Sequence, residues 1–470
     1  MTHYPALING EEVCTSSVLE VRNPFDDSLV GTTYLAGEYE LEQAILAAVS
    51  CQNELAVLPS YKKEIALISI AQQLELRSQE LAVLLARESG KPLKYARIEI
   101  SRSVQTFRIA AEECKRFPSE IIQLDWTAAG EGKEGFVKYF PVGLVAGISP
   151  FNFPLNLVAH KIAPAIAAAC PIVLKPASSA PLSALVLAHI INETDLPKGA
   201  VSILPMTRET GNRLVTDTRF KLLSFTGSPD VGWDMKSRAG KKKVVLELGG
   251  NAGVILAQSA NLSKVILRCA MGAFSYSGQV CIHAQRFFVH STHFHNFCEM
   301  MKTAAEQLVW GEPENESTEF STMIDAANTK RVGQWVQEAI NAGTVLISGG
   351  FERDGIYAPT ILTNVKKSMR VFSEEVFGPV ITIEPFDQFE QAVALLNDSR
   401  FGLQAGVYTD SISEMDFAFQ HIECGGVIIN DVPTFRADHM PYGGVKDSGL
   451  GREGVKYAML DMLEPRVLVK

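Results

Sequence analysis

Apolar residues recur every three or four positions through three N-terminal stretches, a spacing that predicts helices over 41–49, 61–87 and 94–117. In the second, Ile65, Ile68, Leu74, Leu81 and Leu85 define one face, and Gly90-Lys91-Pro92 separates it from the third. Runs at 120–126 and 136–140 predict paired strands around the glycine-rich turn at 130–135. From Pro141 the rhythm changes. Short apolar runs at 142–148, 172–174, 202–204, 222–225 and 244–248 alternate with helical stretches such as 157–169 and 182–192. That alternation predicts a doubly wound α/β sheet, which binds ligands beyond the carboxyl ends of its strands. A second α/β stretch runs from Val254 to about Asn430, and the apolar, β-branched tail at 460–470 predicts a strand. That strand suits a neighbouring subunit as well as the chain's own sheet.

At 470 residues the chain is too long for one simple core, so two or three domains are expected. A formal charge of -10 gives no basic face for a phosphate backbone, so no nucleic-acid partner is expected. The most apolar stretch, 162–174, is broken by Pro164 and Pro171 and falls short of a membrane span. The N-terminus lacks a secretory pattern, so a cytoplasmic protein with no membrane partner is expected. Eight scattered cysteines without a CxxC pair predict free thiols. His290, His293, His295 and Cys298 carry ligand chemistry, but their spacing fits no common zinc site. They read as the surface of a helix entrance, and no metal is expected.

Five segments carry chemistry. Ser149-Pro150-Phe151-Asn152-Phe153-Pro154 ends a predicted strand; Asn152 is either a turn former or an amide donor to an oxyanion. Leu174-Lys175-Pro176-Ala177-Ser178 ends the next, where Lys175 is either solvated or placed to hold ribose hydroxyls or a phosphate. Phe225-Thr226-Gly227-Ser228 lets a phosphate approach backbone N–H groups, although it is not the usual dinucleotide fingerprint. Glu247-Leu248-Gly249-Gly250-Asn251 and Ser277-Gly278-Gln279-Val280-Cys281 offer an acid and a thiol, a base and a nucleophile if brought together. A lone cysteine is otherwise a small core residue.

In this order the five segments closely resemble the aldehyde dehydrogenase superfamily. The resemblance extends over almost the whole chain, through Glu374-Glu375-Val376-Phe377-Gly378-Pro379, Pro441-Tyr442-Gly443-Gly444-Val445-Lys446 and Ser448-Gly449-Leu450-Gly451-Arg452-Glu453. It implies an α/β fold with a Rossmann-type cofactor domain (1–117 and 139–246), an α/β catalytic domain (247–441) and a small β oligomerisation ribbon (118–138 and 442–470). It implies a homodimer or homotetramer. It further implies that Cys281 attacks an aldehyde, that Asn152 and the Cys281 N–H hold the oxyanion, and that Glu247 activates water to hydrolyse the thioester. Lys175, Gly227, Ser228, Glu375, Phe377 and Phe151 then match positions at an NAD or NADP cofactor.

Two departures stand out. Many strictly NAD-dependent relatives carry a glutamate where this chain has Ser178; its absence removes repulsion of a 2′-phosphate, so NADP is expected to be accepted and weakly preferred. Pro229 follows Ser228 where polar residues are common. Stretches around Thr106-Phe107-Arg108, His160 and 433–439 look most like the lactaldehyde, non-phosphorylating glyceraldehyde-phosphate and phosphonoacetaldehyde branch, with succinate-semialdehyde dehydrogenases slightly further away. Arg108, His160, Arg286 and Arg436 are therefore candidates for holding a polar or acidic aldehyde, against the ordinary alternative of structural ion pairs. The other function classes are a non-catalytic, crystallin-like structural descendant and a coenzyme A-acylating enzyme. Joint presence of Asn152, Glu247 and Cys281 argues against the first, and Glu247 favours hydrolysis over the second.

Overall fold

Two mostly parallel sheets and a three-stranded antiparallel ribbon make up the fold in the computed structural model, which describes residues 2–470. The first sheet has six strands, in the spatial order Gly449–Leu450, Lys243–Glu247, Leu222–Thr226, Val145–Ile148, Ile172–Lys175 and Val201–Ile203. All run parallel except Gly449–Leu450. Chain order reverses between Val145–Ile148 and Leu222–Thr226. The loops after these two strands diverge to opposite faces and leave a crevice there. Apolar side chains cover the sheet on both faces, as short uninterrupted runs such as Leu222 to Thr226, every residue buried, require.

The second sheet has seven strands, in the order Val345–Ser348, Thr360–Thr363, Val380–Phe386, Ala284–His290, Ala252–Leu256, Gln404–Tyr408 and Gly426–Ile429. The ribbon sets Glu134–Pro141 between Ser119–Gln123 and Leu463–Val469. The C-terminal tail thus pairs within its own chain, Leu463 opposite Pro141 and Val469 opposite Gly135. Among the described residues no helix is long and apolar enough to cross a membrane.

Several expectations need adjustment. The stretch at 61–87 is two helices, Ser60–Leu76 and Ser78–Ser89, which meet at Arg77. The bend keeps Leu74, Leu81 and Leu85 fully buried while Ile65 points to solvent. Trp126 lies outside the ribbon strand and is 90% exposed. The segment at 442–470 is not one unit. Leu248 N–H donates to the Ser448 carbonyl, and Gly449 lies so close to the Leu246 carbonyl that Gly449–Leu450 joins the first sheet. The helix Val455–Asp461 then packs on Asn156–Ala167, so only Leu463–Val469 enters the ribbon. Of the four histidine-cluster residues, His290 bonds Thr292, His293 bonds the Gln258 carbonyl and Cys298 is buried.

Two of the four candidate substrate residues are structural. Arg108, on the helix Leu93–Glu113, pairs with Glu75 of Ser60–Leu76 on the outer surface, since its helical face points away from the sheet. Arg286 is wholly buried beneath the second sheet. It donates to the carbonyls of Asn251, Leu395 and Leu396, with its guanidinium 5.5 Å from the ring centroids of Phe288 and Phe372. Burial lowers its pKa to about 10. Its donors are spent on backbone. Replacing Arg286 with Met strands these carbonyls, at about 1–3 kcal/mol each when buried. Urea unfolding of Arg286→Met is expected to show a stability loss of about 3 kcal/mol or more, with substrate KM in the surviving folded protein unchanged.

Candidate active site

Cys281 sits where the loops of the two sheets meet. The helix Leu262–Phe274 ends in a tight turn in which Tyr276, Ser277 and Gly278 all have positive φ, at 48°, 52° and 69°. Two consecutive non-glycine residues in this region are costly and persist only where surroundings hold them. Tyr276 donates to the Ser89 carbonyl, Ser277 to the Ser321 carbonyl, and the Gln279 side chain accepts from Ile324 N–H. The turn so fixed delivers Cys281, whose Sγ lies 3.2 Å from the Tyr442 hydroxyl. Burial pushes the thiol up to about 11, the Tyr442 hydrogen bond opposing the rise.

Asn152 comes from the crevice loop of the first sheet. Its Nδ2 donates to the Gln279 carbonyl at 3.0 Å, two residues before Cys281, and its Oδ1 is buried without a partner. The backbone beneath it is fixed by a fully buried ion pair. Lys91 binds Glu99 and donates to the Asn152 carbonyl at 2.7 Å, while Glu99 accepts from Leu155 and Asn156 N–H and so caps the helix Asn156–Ala167. Phe153 and Tyr276 rings enclose the ammonium at 4.0 and 4.6 Å.

Glu247 ends the strand Lys243–Glu247 of the first sheet, buried, with neither carboxylate oxygen hydrogen-bonded. Burial, and Glu453 next to it, hold its pKa well above the usual carboxylate range; Arg436, Lys161 and Arg452 pull the other way. Lys161 donates to Ser224 and Thr226 and reaches Glu453 at 3.5 Å. Arg436 pairs with Glu453 at 2.8 Å, and its guanidinium lies 3.7 Å from the Tyr442 ring centroid. His160 is set back in this layer. It bonds Asp438, which also takes Arg102, and so ties its helix to the loop carrying Arg436. Arg436 is thus the one candidate substrate residue that shares a contact, Tyr442, with Cys281.

Beyond the strand ends lies a cleft of about 360 Å³ lined by Ile148, Pro150, Lys175, Phe225, Gly227 and Ser228, together with Arg208 and Arg238. Ser228 stands at the N-cap position of the ten-residue helix Pro229–Arg238, with no side-chain capping bond, so the positive end of that helix lies at the cleft. Ser178 is exposed at the turn after Lys175. On the other side, Glu375 accepts from Gly250 N–H at 3.0 Å, and the Phe151 and Phe377 rings meet edge-on at 5.8 Å. Asn251 and Gln285 both donate to the Glu374 carbonyl, and Gln285 accepts from Val376 N–H, so two buried amides set this loop.

Sequence reading passed over Arg208, Lys91, Lys161, Glu453 and the hydroxyl of Tyr442. Lys91 sits in the quoted Gly90-Lys91-Pro92 break, and Tyr442 and Glu453 in quoted motifs, so the residues were visible without their contacts. Arg208 carried no signal: it is brought in by the helix Arg208–Thr216, distant in sequence from Lys175.

Glu375 generates a test. Burial raises its carboxyl to about 8, against the Gly250 hydrogen bond and Arg331, so the folded chain keeps a proton that the unfolded chain releases near 4.5. Folded-state stability from this group is therefore lost as pH rises from about 4.5 through about 8. In Glu375→Gln, which retains an acceptor for Gly250 N–H, the drop in urea midpoint between those pH values is expected to be smaller than in the wild type.

Comparison with known proteins fits this geometry. The aldehyde dehydrogenase family profile matches residues 12–468. A 3-sulfolactaldehyde dehydrogenase of Priestia aryabhattai is 39% identical over 468 residues, covering 99% of this chain and 98% of its own. A lactaldehyde dehydrogenase of Methanocaldococcus jannaschii is 37% identical over 456 residues, covering 96% and 97%. Among solved structures, aldehyde dehydrogenase 21 of Physcomitrella patens, in complex with the reaction product succinate, is 44% identical with a TM-score of 0.98, covering 100% of this chain and 98% of that one. The glyceraldehyde-3-phosphate dehydrogenase GapN of M. jannaschii, complexed with NADP, is 37% identical with a TM-score of 0.92, covering 96% and 98%. The chain belongs to the aldehyde dehydrogenase family and is an NAD(P)-dependent enzyme of that family.

Proposed function

We propose that this enzyme oxidises a small acidic aldehyde to its carboxylic acid, with Cys281 as nucleophile, Asn152 as oxyanion donor and Glu247 as base. The observation that carries the acidic preference is Arg436. It is a buried cation packed on the tyrosine that touches Cys281, and its Nε is buried without a partner. A guanidinium with an unused N–H suits a carboxylate, sulfonate or phosphate. Relatives named for sulfolactaldehyde and for a succinate product support an anionic head group. Neutral lactaldehyde, named for other relatives, is the second reading.

Cys281 adds through sulfur to the aldehyde carbon, and the carbonyl oxygen takes the charge within reach of the Asn152 amide and the Cys281 N–H. A bound nicotinamide would supply the hydride acceptor this oxidation needs, and Cys281 would then hold the product acyl group as a thioester. Glu247, whose buried site makes its carboxylate a strong proton acceptor once ionised, then takes a proton from the water that cleaves the thioester. Both Glu247 oxygens are buried without a partner, so their acceptor capacity is free for that water.

The cleft beside the first sheet fits the cofactor. Apolar walls from Ile148, Pro150 and Val231 suit an adenine, and the start of the helix after Ser228 suits a pyrophosphate. We infer a preference for NADP from Lys175 and Arg208, two cations close enough for Arg208, after burial, to lower the Lys175 pKa. Ser178 adds no negative charge beside them. Copies of the chain are inferred to assemble as a homodimer or homotetramer along the ribbon, where Ile121, Val467 and Leu468 are exposed.

Reduced cofactor followed at 340 nm with succinate semialdehyde, sulfolactaldehyde, glyceraldehyde 3-phosphate and lactaldehyde tests the reading. Turnover is expected for at least one anionic aldehyde above lactaldehyde, with none in Cys281→Ala, and with a single burst but little turnover in Glu247→Gln. Equal kcat/KM for lactaldehyde and every anion would reject the acidic preference. Loss of one phosphate-facing guanidinium is expected to cost about tenfold in NADP kcat/KM in Arg208→Gln, with NAD little changed.

A further inference from the structure

The thiol of Cys281 needs help to ionise. Burial disfavours its thiolate, and two of the charged groups acting on it, Glu375 and Glu247, are acids that oppose it further. The favourable groups are Tyr442 and Arg436. We propose that the Tyr442 hydroxyl is the hydrogen-bond donor that holds Cys281 as the reactive thiolate, with Arg436 locking the ring in place. This rests on the role given to Cys281 above, and adds a residue to it.

The geometry favours donation in this direction. Burial holds the phenol well above its usual range, so it remains protonated while the thiol ionises, and a thiolate can only accept. Tyr442 is held on every side. Its N–H and carbonyl pair with the backbone of Glu453 at 3.0 and 2.6 Å. Its ring packs with Ile282, Leu403 and Val280, and Arg436, anchored by Glu453, covers one face. A phenylalanine would fill the same space without the donor. The thiol proton leaves to solvent, and Tyr442 keeps its own throughout. Sulfur then bonds to the aldehyde carbon as the carbonyl π pair moves to oxygen. When the thioester is hydrolysed, the carbon–sulfur bond breaks and the electron pair returns to sulfur, so the same donor favours the departing thiolate.

Alkylation of Cys281 by iodoacetamide, read peptide by peptide by mass spectrometry across pH, needs neither aldehyde nor cofactor. In full-length Tyr442→Phe the midpoint of the pH profile is expected to rise by about one unit, in keeping with the loss of one charge-assisted donor to a thiolate. In protein carrying 3-fluorotyrosine at 442, a stronger donor of nearly the same shape, it is expected to fall. Midpoints unchanged in both, with circular dichroism matching the wild type, would overturn the proposal. Absence of aldehyde turnover in a wild type whose Cys281 profile responds to these changes would instead count against the proposed reaction and leave the Tyr442–Cys281 pairing standing.

Discussion

Backbone approaches backbone at the junction of the two sheets more closely than a side chain permits, and the site depends on that contact. A Cβ on Gly250 would lie 2.3 Å from the Cys281 carbonyl, and one on Gly425 would lie 1.6 Å from the Gly443 carbonyl. Gly250 therefore lets the segment after the Glu247 strand close on the turn bearing Cys281, and Gly425 lets the start of the second sheet's last strand close on the segment bearing Tyr442. Because the obstruction in each case is main chain rather than a flexible side-chain end, the structure has no cheap way to relax. The proposed nucleophile, base and thiolate donor come from three separate stretches of chain, and bare α-carbons let the backbone close around them.

Around that junction the fold buries an unusual amount of charge. Lys91 and Glu99 are fully buried together, and Lys161, Glu453 and Arg436 form a second layer behind Glu247. Burying a charge is costly unless it is paired and hydrogen-bonded, and removing one partner strands the other. Here the pairs do two things. Lys91 and Glu99 hold the loop of Asn152, and the second layer sets the electrostatic surroundings in which Glu247 and Cys281 titrate. Glu247 itself is left without a hydrogen-bond partner among them, and burial with Glu453 beside it holds its carboxyl above the usual carboxylate range.

Arginine shows how one residue type meets different ends. Arg108 and Arg286 carried the same chemical promise as Arg436. One lies on the outer face of a helix beside Glu75, and one is consumed by three backbone carbonyls beneath the second sheet. Arg436 alone of the three keeps a buried, unpartnered N–H next to a residue that touches Cys281. Planar guanidinium suits all three environments, so composition does not separate them.

Periodicity and turn residues made the doubly wound sheet legible, because strands buried on both faces read as short apolar runs and helices as three-and-four patterns; the helix Leu182–Asn192 was read to the residue. Motif order made the family legible, with Asn152, Glu247 and Cys281 among its marks. The bend at Arg77 left no glycine or proline to announce it, and the division of 442–470 between sheet, helix and ribbon turned on which carbonyl each backbone N–H found. Arg208 beside Lys175, Lys91 beneath Asn152, and the hydroxyl of Tyr442 on Cys281 join residues far apart in the chain. Local sequence determines which groups are available and which local shapes they favour. Only the packing of the two sheets against each other decides which of those groups touch.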